Sequence, residues 1–351
     1  MPKSIMKIDA VDLFCGAGGL SFGLKKAGIS VRAGIDFDPA CKFPYEANLG
    51  RGKFIAQDVA KVKKSDVARH FGEGNFSLLA GCAPCQPFST LRNGTERHKS
   101  DKWPLLNEFG RLVKSTRPDF VTMENVPALA SQTIFGDFVE QLESLRYEVT
   151  SRVVNASDYG VPQRRKRLVL LASRHGKVRL LSPEELGCSK KNVRDAIGEL
   201  KMLAAGEADK EDPLHRARSL TDINLARIRV SRPGGTWHDW PEHLRAPCHR
   251  VESGQSYKSV YARMEWGKPS PTITTQCFNF GTGRFGHPTQ DRAITLREAA
   301  ILQSFPPDYK FVEEGGKVML STLGRLIGNA VPVDLGYAIG MSLLKHAKYI
   351  K

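Results

Sequence analysis

Short apolar runs alternate with stretches of helical periodicity through the first half of the chain, and this alternation limits the fold more than any other property of the sequence. Lys7–Phe14, Val31–Phe37, Phe54–Ala56, Phe76–Ala80, Phe120–Met123, Tyr147–Asn155 and Arg167–Ser173 read as strands, and Gly19–Ala27, Asp38–Asn48, Leu105–Ser115 and Phe135–Leu145 as helices. Repeated β-α-β predicts an α/β protein with a doubly wound, mostly parallel sheet of Rossmann-like form. Open sheets of this kind bind ligands in the crevice beyond the carboxyl ends of their strands. Residues that directly follow a strand are therefore where chemistry is expected.

Beyond Ser173 the texture changes. Gly187–Tyr261 is rich in Arg, Pro, Gly, Trp and His with little sustained periodicity, which predicts a smaller irregular domain inserted after the sheet. Patterning returns at Leu296–Gln303, a helix, and at Thr322–Lys348, apolar enough to pack back on the first domain. The expected division is 1–178, 179–290 and a returning segment 291–351. No apolar segment reads as membrane-spanning, and the opening MPKSIMKIDAVDLF lacks the long apolar core of a leader. A soluble, cytoplasmic protein with no membrane partner is expected.

The 52 basic residues outnumber the 37 acidic ones, giving a formal net charge of +15. That excess favours a polyanionic partner, nucleic acid first, over the plainer reading of a generally basic surface. Seven cysteines without framework spacing point to a reducing compartment.

Two features at strand ends carry the chemistry. The first is AVDLFCGAGGLSFGL (Ala10–Leu24), a strand, a glycine turn and a helix. Gly16 and Gly18 match the first two glycines of a dinucleotide fingerprint, but Ser21 stands at the third and no P-loop lysine follows. Asp36, at the end of the second strand, is placed to bond a ribose diol, and Asp58, after the third, could take an adenine amino group. A nucleoside cofactor without pyrophosphate fits this pattern, S-adenosyl-L-methionine above all; glycines serving only tight packing are the alternative.

The second feature is Cys85, in GCAPCQPFS (Gly81–Ser89), just past an apolar run. CAPC superficially matches a redox C-x-x-C, but Pro87 and the polar stretch after it do not open an amphipathic helix. A zinc site would need two more Cys or His at partner spacing, and the remaining cysteines are scattered, so no metal is expected. Cys82, one step off the strand, reads as a small core residue. Glu124, in MENV, follows the fifth strand and is expected near Cys85. Arg165 and Arg167 stand two apart in DYGVPQRRKRL and so face the same way if extended; phosphate or solvent contact is the alternative for this basic run.

With these pieces in hand the chain resembles the DNA (cytosine-5) methyltransferase family over nearly its whole length. DLFCGAGG, PCQPFS, MENV, YGVPQRRKR, DRAITLREAAILQSFP (Asp291–Pro306) and GNAVPV (Gly328–Val333) occur in the family's order. The resemblance implies Cys85 as nucleophile and Glu124 as the acid that binds cytosine. Arg165 would support both the base and Glu124, with Arg167 beside it. Phe14, Gly16, Gly18, Gly19, Leu20, Asp36, Phe37, Asp58, Val59, Pro84, Asn329 and Val331 would line the S-adenosyl-L-methionine site. Gln86, Ser89, Arg97, Arg229 and Arg232 would contact DNA.

The chemistry is consistent with that transfer. Carbon 5 of cytosine is a poor nucleophile until a thiolate adds at carbon 6, which is covalent catalysis. Glu124 must then carry a proton, or share one with ring nitrogen 3, and Arg165 is a candidate source of charge to favour the Cys85 thiolate. The base must leave the duplex stack. Thr90–Lys102 could close over it or be an ordinary surface loop; family members often carry Arg where this chain has Lys102. The insert, about 180–262, corresponds to the family's target-recognition region, where Arg216, Arg218, Arg227, Arg229, Arg232, Trp237, His238 and Trp240 could touch phosphates or base edges. The expected partner is double-stranded DNA, met by a monomer at the nucleoid, with a restriction endonuclease acting separately. The lack of a long regulatory N-terminus suits a prokaryotic modification enzyme. A transfer-RNA methyltransferase and a catalytically silent DNA-binding module are the competing readings.

Overall fold

The computed structural model describes residues 7–84 and 104–350. In chain order the elements are β1 (Ile8–Leu13), α1 (Gly19–Ala27), β2 (Ser30–Asp36), α2 (Lys42–Leu49), β3 (Phe54–Ala56), α3 (Lys64–Ala68), β4 (Phe76–Gly81), α4 (Pro104–Thr116), β5 (Phe120–Asn125), α5 (Thr133–Ser144), β6 (Glu148–Asn155), β7 (Lys166–Ser173), α6 (Val193–Ile197), α7 (Asp222–Val230), α8 (Leu296–Leu302), α9 (Leu320–Asn329) and α10 (Val333–Ile350). They fall into two compact units: one of 1–159, 166–188 and 331–351, the other of 160–165 and 189–330.

The first unit holds a seven-stranded sheet in the order β3-β2-β1-β4-β5-β7-β6. Strands β1 to β5 pair in parallel, as alternating β-α-β requires. Strand β7, however, runs antiparallel to both neighbours. A parallel pairing of β6 with β7 would need a crossover of a dozen or more residues, usually helical, and the connection between them contains no α-helix.

Side chains alternate across the sheet, so β1 feeds two cores. Val11 and Leu13 join Phe109, Leu112, Phe138 and Leu142 of α4 and α5 on one face. Ile8 and Ala10 join Leu20, Leu24, Leu335, Ile339 and Leu343 of α1 and α10 on the other. Helices α1 and α10 touch backbone to backbone. A Cβ on Gly23 would lie 2.4 Å from the Val333 carbonyl oxygen, and one on Gly340 would lie 2.6 Å from Ala27 Cβ.

The expected Thr322–Lys348 element is broken at Ala330–Pro332 into α9 and α10. Proline lacks an N–H and disfavours helical backbone before it, which explains the break. The stretch Leu320–Ile350 does reach membrane-spanning length, with a mean hydropathy of 1.2, contrary to the sequence reading. Half of α10's residues are buried in the core of the first unit, Leu335, Ile339 and Leu343 among them, as expected of the core helix of a globular domain.

Among the described residues the second unit has no β-strand. Its small apolar core gathers Ile228, Trp237, Trp240, Leu244, Phe280 and Ala293. The rest is held by buried polar ties. Arg292 and Glu298, both fully buried, form a two-pronged pair at 2.7 and 2.8 Å. Glu298 also closes a capping box with Thr295 at the start of α8. Burial works to raise the Glu298 pKa, but the hydrogen bonds and charge of Arg292 outweigh it and hold the carboxyl below its ordinary value. The unit boundary at 330/331 places α8 and α9 in this unit, where Arg297 of α8 pairs with Asp212.

Candidate active site

In the first unit, the carboxyl ends of β1, β2, β4 and β5 lie at one edge, with the strand order reversing about β1. The chain leaves β1 through Phe14 at φ 56 and Gly16 at φ 53, both left-handed, before Gly18 at φ 92 opens α1. This turn is pinned from β2, since the Gly16 N–H donates to Asp36 Oδ2 at 2.9 Å. The other oxygen of Asp36 accepts from the Asp38 N–H at 3.0 Å. Asp36 is thereby oriented before a ligand arrives. A Cβ on Gly16 would meet no heavy atom within 4 Å, so no protein atom crowds the inside of the turn. Next to it the Phe37 ring is 70 % exposed.

Beneath the turn lies a group that sequence reasoning missed. Asp12 reaches up from β1 to the first turn of α1: its Oδ2 accepts from the Ser21 hydroxyl at 2.6 Å, and Ser21 lies 2.8 Å from the Tyr45 hydroxyl. Asp12 is 1 % exposed. Burial pushes its pKa up to about 7; the Ser21 hydrogen bond opposes this and the charge of Asp36 adds to it. Burial, then Asp12 and Asp36, drive the Cys15 thiol well above its ordinary pKa, which makes it inert at neutral pH.

The other expected cofactor residues are differently disposed. Leu20 and Val59 are core side chains, and Gly19 begins α1. Asp58 is exposed and accepts from the Ala60 N–H at 3.0 Å, capping a short turn after β3. Pro84 is exposed, Val331 is buried in the first unit, and Asn329 is exposed at the end of α9 in the second.

At the β4 and β5 ends the site tightens. Cys85, Gln86, Ser89, Arg97 and the Thr90–Lys102 segment lie outside the described residues. The approach to Cys85 is held firmly, because Asn125 Nδ2 donates to the Ala83 carbonyl at 3.0 Å. Glu124 lies within β5, paired in register with Val169 of β7, and is 2 % exposed. The Cys82 thiol donates to its Oε2 at 3.1 Å. Arg167 Nε lies 2.9 Å from Oε1. That separation is an ion-pair contact, not a hydrogen bond: the N–H is not aimed at the oxygen, and Oε1 is buried with no hydrogen-bond partner. Glu124 therefore takes its ionic partner from Arg167, where the sequence reading gave that task to Arg165.

Arg165 belongs to the second unit and is 4 % exposed. Its guanidinium donates to the carbonyls of Ile273 at 3.0 Å, Gly328 at 3.1 Å and Ala330 at 3.4 Å. Two buried amides continue this network. Gln163 donates to Gln303 Oε1 at 2.9 Å and accepts from the Ile273 N–H at 2.8 Å, and Gln303 donates to the Ile327 carbonyl at 2.7 Å. Their only sequence signal is a glutamine in each of two quoted motifs, which composition does not separate from surface amides.

Of the insert residues expected on DNA, Trp237, Trp240 and Arg227 are buried structural groups. Trp237 stacks between His238 and His249, at 3.9 and 4.1 Å, and donates to the Tyr257 carbonyl. Trp240 donates to the Ser231 hydroxyl, and Arg227 to the Leu244 carbonyl, its cation over the Trp240 and Tyr261 rings. Arg216 and Arg218 are exposed. So are Arg229 and Arg232, each loosely paired with an aspartate at about 3.5 Å.

An α/β sheet with a glycine turn and a buried glutamate at one edge is the frame of a ligand-binding α/β enzyme, and the comparisons narrow it. The family model described as C-5 cytosine-specific DNA methylase matches residues 8–345, and the chain belongs to that family. It is 48% identical over 340 residues to the Type II methylase M.HgiDII of Herpetosiphon aurantiacus, covering 95% of this chain and 94% of that one. It is 34% identical to the Type II methyltransferase M1.HphI of Haemophilus parahaemolyticus, over 97% and 87% of the two chains. The crystal structure of a protein encoded within an E. coli prophage superposes with a TM-score of 0.73 at 21% identity, over 97% of this chain and 99% of that one. The chemistry of the family to which this chain belongs is methylation of DNA at carbon 5 of cytosine.

Proposed function

We propose that the chain is a DNA (cytosine-5-)-methyltransferase acting on a flipped cytosine of double-stranded DNA through a covalent adduct with Cys85. The observation that supports this most is the state of Glu124. Most buried polar atoms are hydrogen-bonded, so a buried carboxyl oxygen held by an ion pair with no hydrogen bond calls for an explanation. Oε1 of Glu124 is one, at a strand end whose neighbouring strand leads through Pro84 to Cys85.

The Cys85 thiolate adds to carbon 6 of the base, and Glu124 holds a proton toward ring nitrogen 3 as charge develops there. Arg167 keeps the Glu124 carboxyl in place. Carbon 5, made enamine-like, accepts the methyl group; its proton then leaves and the thiol is expelled. S-adenosyl-L-methionine, when bound, would supply the methyl group, leaving S-adenosyl-L-homocysteine. The uncrowded turn at Gly16, the oriented Asp36 and the exposed Phe37 suit its nucleoside half, and Phe14, Gly18 and Pro84 border the same strand ends. No step requires a metal. Exposed arginines of the second unit, Arg216, Arg218, Arg229 and Arg232, would meet DNA phosphates. The Type II names of the relatives support a modification enzyme; a monomer acting apart from its restriction endonuclease is part of this proposal.

A duplex carrying 5-fluorocytosine in the cognate site tests the reading, because fluorine cannot leave as the proton does. A denaturant-stable adduct is expected with the wild-type chain and none with Cys85→Ala. Bisulfite sequencing of DNA from expressing cells gives the product and its context. Turnover retained by Cys85→Ala would overturn the mechanism.

A further inference from the structure

We infer that Asp12, Ser21 and Tyr45 act together as a positioning device for S-adenosyl-L-methionine, locking in place the two strand-end loops that would hold it. The inference rests on the cofactor reading given above. All three side chains are buried, so they act through the backbone they hold.

The first loop, residues 14–18, joins β1 to α1, and the second, residues 37–41, leads from β2 to α2. Asp12 stands on β1, Ser21 in the first turn of α1 and Tyr45 in α2, so each belongs to a segment that anchors one of these loops. The Ser21 hydroxyl and the Ser21 backbone N–H both hydrogen-bond the Asp12 carboxyl. A hydroxyl has one hydrogen to give. Ser21 gives it to Asp12, so at the 2.8 Å contact the Tyr45 hydroxyl is the donor. Donation therefore runs from Tyr45 to Ser21 to Asp12, crossing from α2 through α1 to β1. Gly34 of β2 makes room for this chain: a Cβ there would lie 2.2 Å from the Tyr45 ring and 2.4 Å from its hydroxyl. The loops are also tied at the sheet edge, where the Gly16 N–H donates to Asp36. That upper tie uses a carboxylate that a ribose would engage, whereas the buried one is out of a ligand's reach. A ligand that needs both loops binds only the molecules in which they are correctly spaced, and its apparent Kd rises as that fraction falls.

Calorimetric titration of S-adenosyl-L-homocysteine into the full chain tests the device without turnover. Tyr45→Phe removes only the hydroxyl and should raise Kd about three- to tenfold, the scale of one hydrogen bond. Asp12→Ala should do at least as much, and Asp12→Asn, which keeps an oxygen to accept from Ser21, should recover most of the loss. Because the side chains form one series, Tyr45→Phe combined with Asp12→Ala should raise Kd by less than the product of the single effects. Leu142→Ala is the control, a truncation in the core on the other face of the sheet; it should lower the thermal midpoint and leave Kd unchanged. Tyr45→Phe serves alone if the Asp12 variants do not fold. Wild-type Kd in Tyr45→Phe and Asp12→Ala, equal impairment by Asp12→Asn and Asp12→Ala, or a rise of the same size in Leu142→Ala would overturn the inference and leave the cofactor reading standing. No binding by the unmodified chain would instead remove the reading on which it rests.

Discussion

Replacing Asp12 by Asn should alter how the stability of the first unit depends on pH. Asp12 has an ordinary pKa of 3.8 and is pushed up to about 7 in the folded chain, chiefly by burial. An acid that holds its proton more tightly when folded stabilises the fold fully below its unfolded pKa, and the contribution is lost as pH rises through the folded value. At about 1.36 kcal/mol per pH unit, roughly 2–3 kcal/mol disappears between about pH 5 and about pH 8. His287 works in the opposite direction over part of that window. Burial holds it down to about 4, against the pull of Glu298, so the unfolded chain takes up its proton first as pH falls below about 6.5. The difference between the two chains isolates Asp12 from His287 and the other titrating groups. Asparagine is nearly isosteric, can accept from Ser21 through its amide oxygen, and does not titrate. Urea unfolding at both pH values, with m unchanged, should show the wild type losing about 2–3 kcal/mol more than Asp12→Asn between them. Parallel profiles would refute the reasoning, because they would mean that Asp12 is ionised in the folded chain throughout.

Further outcomes concern packing, the buried pair and DNA contact. Gly23→Ala should destabilise by about 1–3 kcal/mol despite alanine's better helix propensity, because its Cβ would sit 2.4 Å from the Val333 carbonyl oxygen; an unchanged or raised melting temperature would contradict the close α1–α10 contact. Arg292→Met strands Glu298 and should cost about 3–5 kcal/mol. With Arg292 gone, burial raises the Glu298 pKa, so mild acidification should restore part of that stability; in the wild type its lowered pKa makes the contribution disappear as pH falls. Chemical denaturation on either side of about pH 4.5 distinguishes the two signs. Arg232→Ala should leave the unfolding midpoint in place and reduce the slope of log K against log salt by about 1 if the residue meets a phosphate. An unchanged slope would make it an ordinary surface charge.

Legibility in the sequence divides along physical lines. Strands β1 to β5 were visible because a strand buried on both faces is a short apolar run, and glycines at positive φ mark the turn after β1. The reversed direction of β7 could have been read from the helix-free connection after β6, which is too short for a parallel crossover. Glu124 could be placed at the sheet edge from its position after Phe120–Met123, but not its partner: Arg165 and Arg167 are both arginines in a basic run, and only the fold separates them. Trp237, Trp240 and Arg227 looked like DNA contacts because aromatic and basic residues serve interfaces and cores alike. Asp12 and Cys82 were hidden for another reason. A single aspartate in a strand or a cysteine beside one carries no periodic signal, and their roles depend on Ser21 and Glu124, 9 and 42 residues away.

The six residues 160–165 carry a consequence for engineering. They are separated in sequence from the other 142 residues of the second unit, 189–330, yet Gln163 and Arg165 are tied by hydrogen bonds to Ile273, Gln303, Gly328 and Ala330 within it. A chimera that exchanged 189–330 alone would ask host side chains to match a foreign set of carbonyls. The portable cassette is discontinuous. It comprises the hexapeptide as well as the long segment, and the splice immediately after Arg165 falls two residues before Arg167, the partner of Glu124, which has to stay with the host sheet.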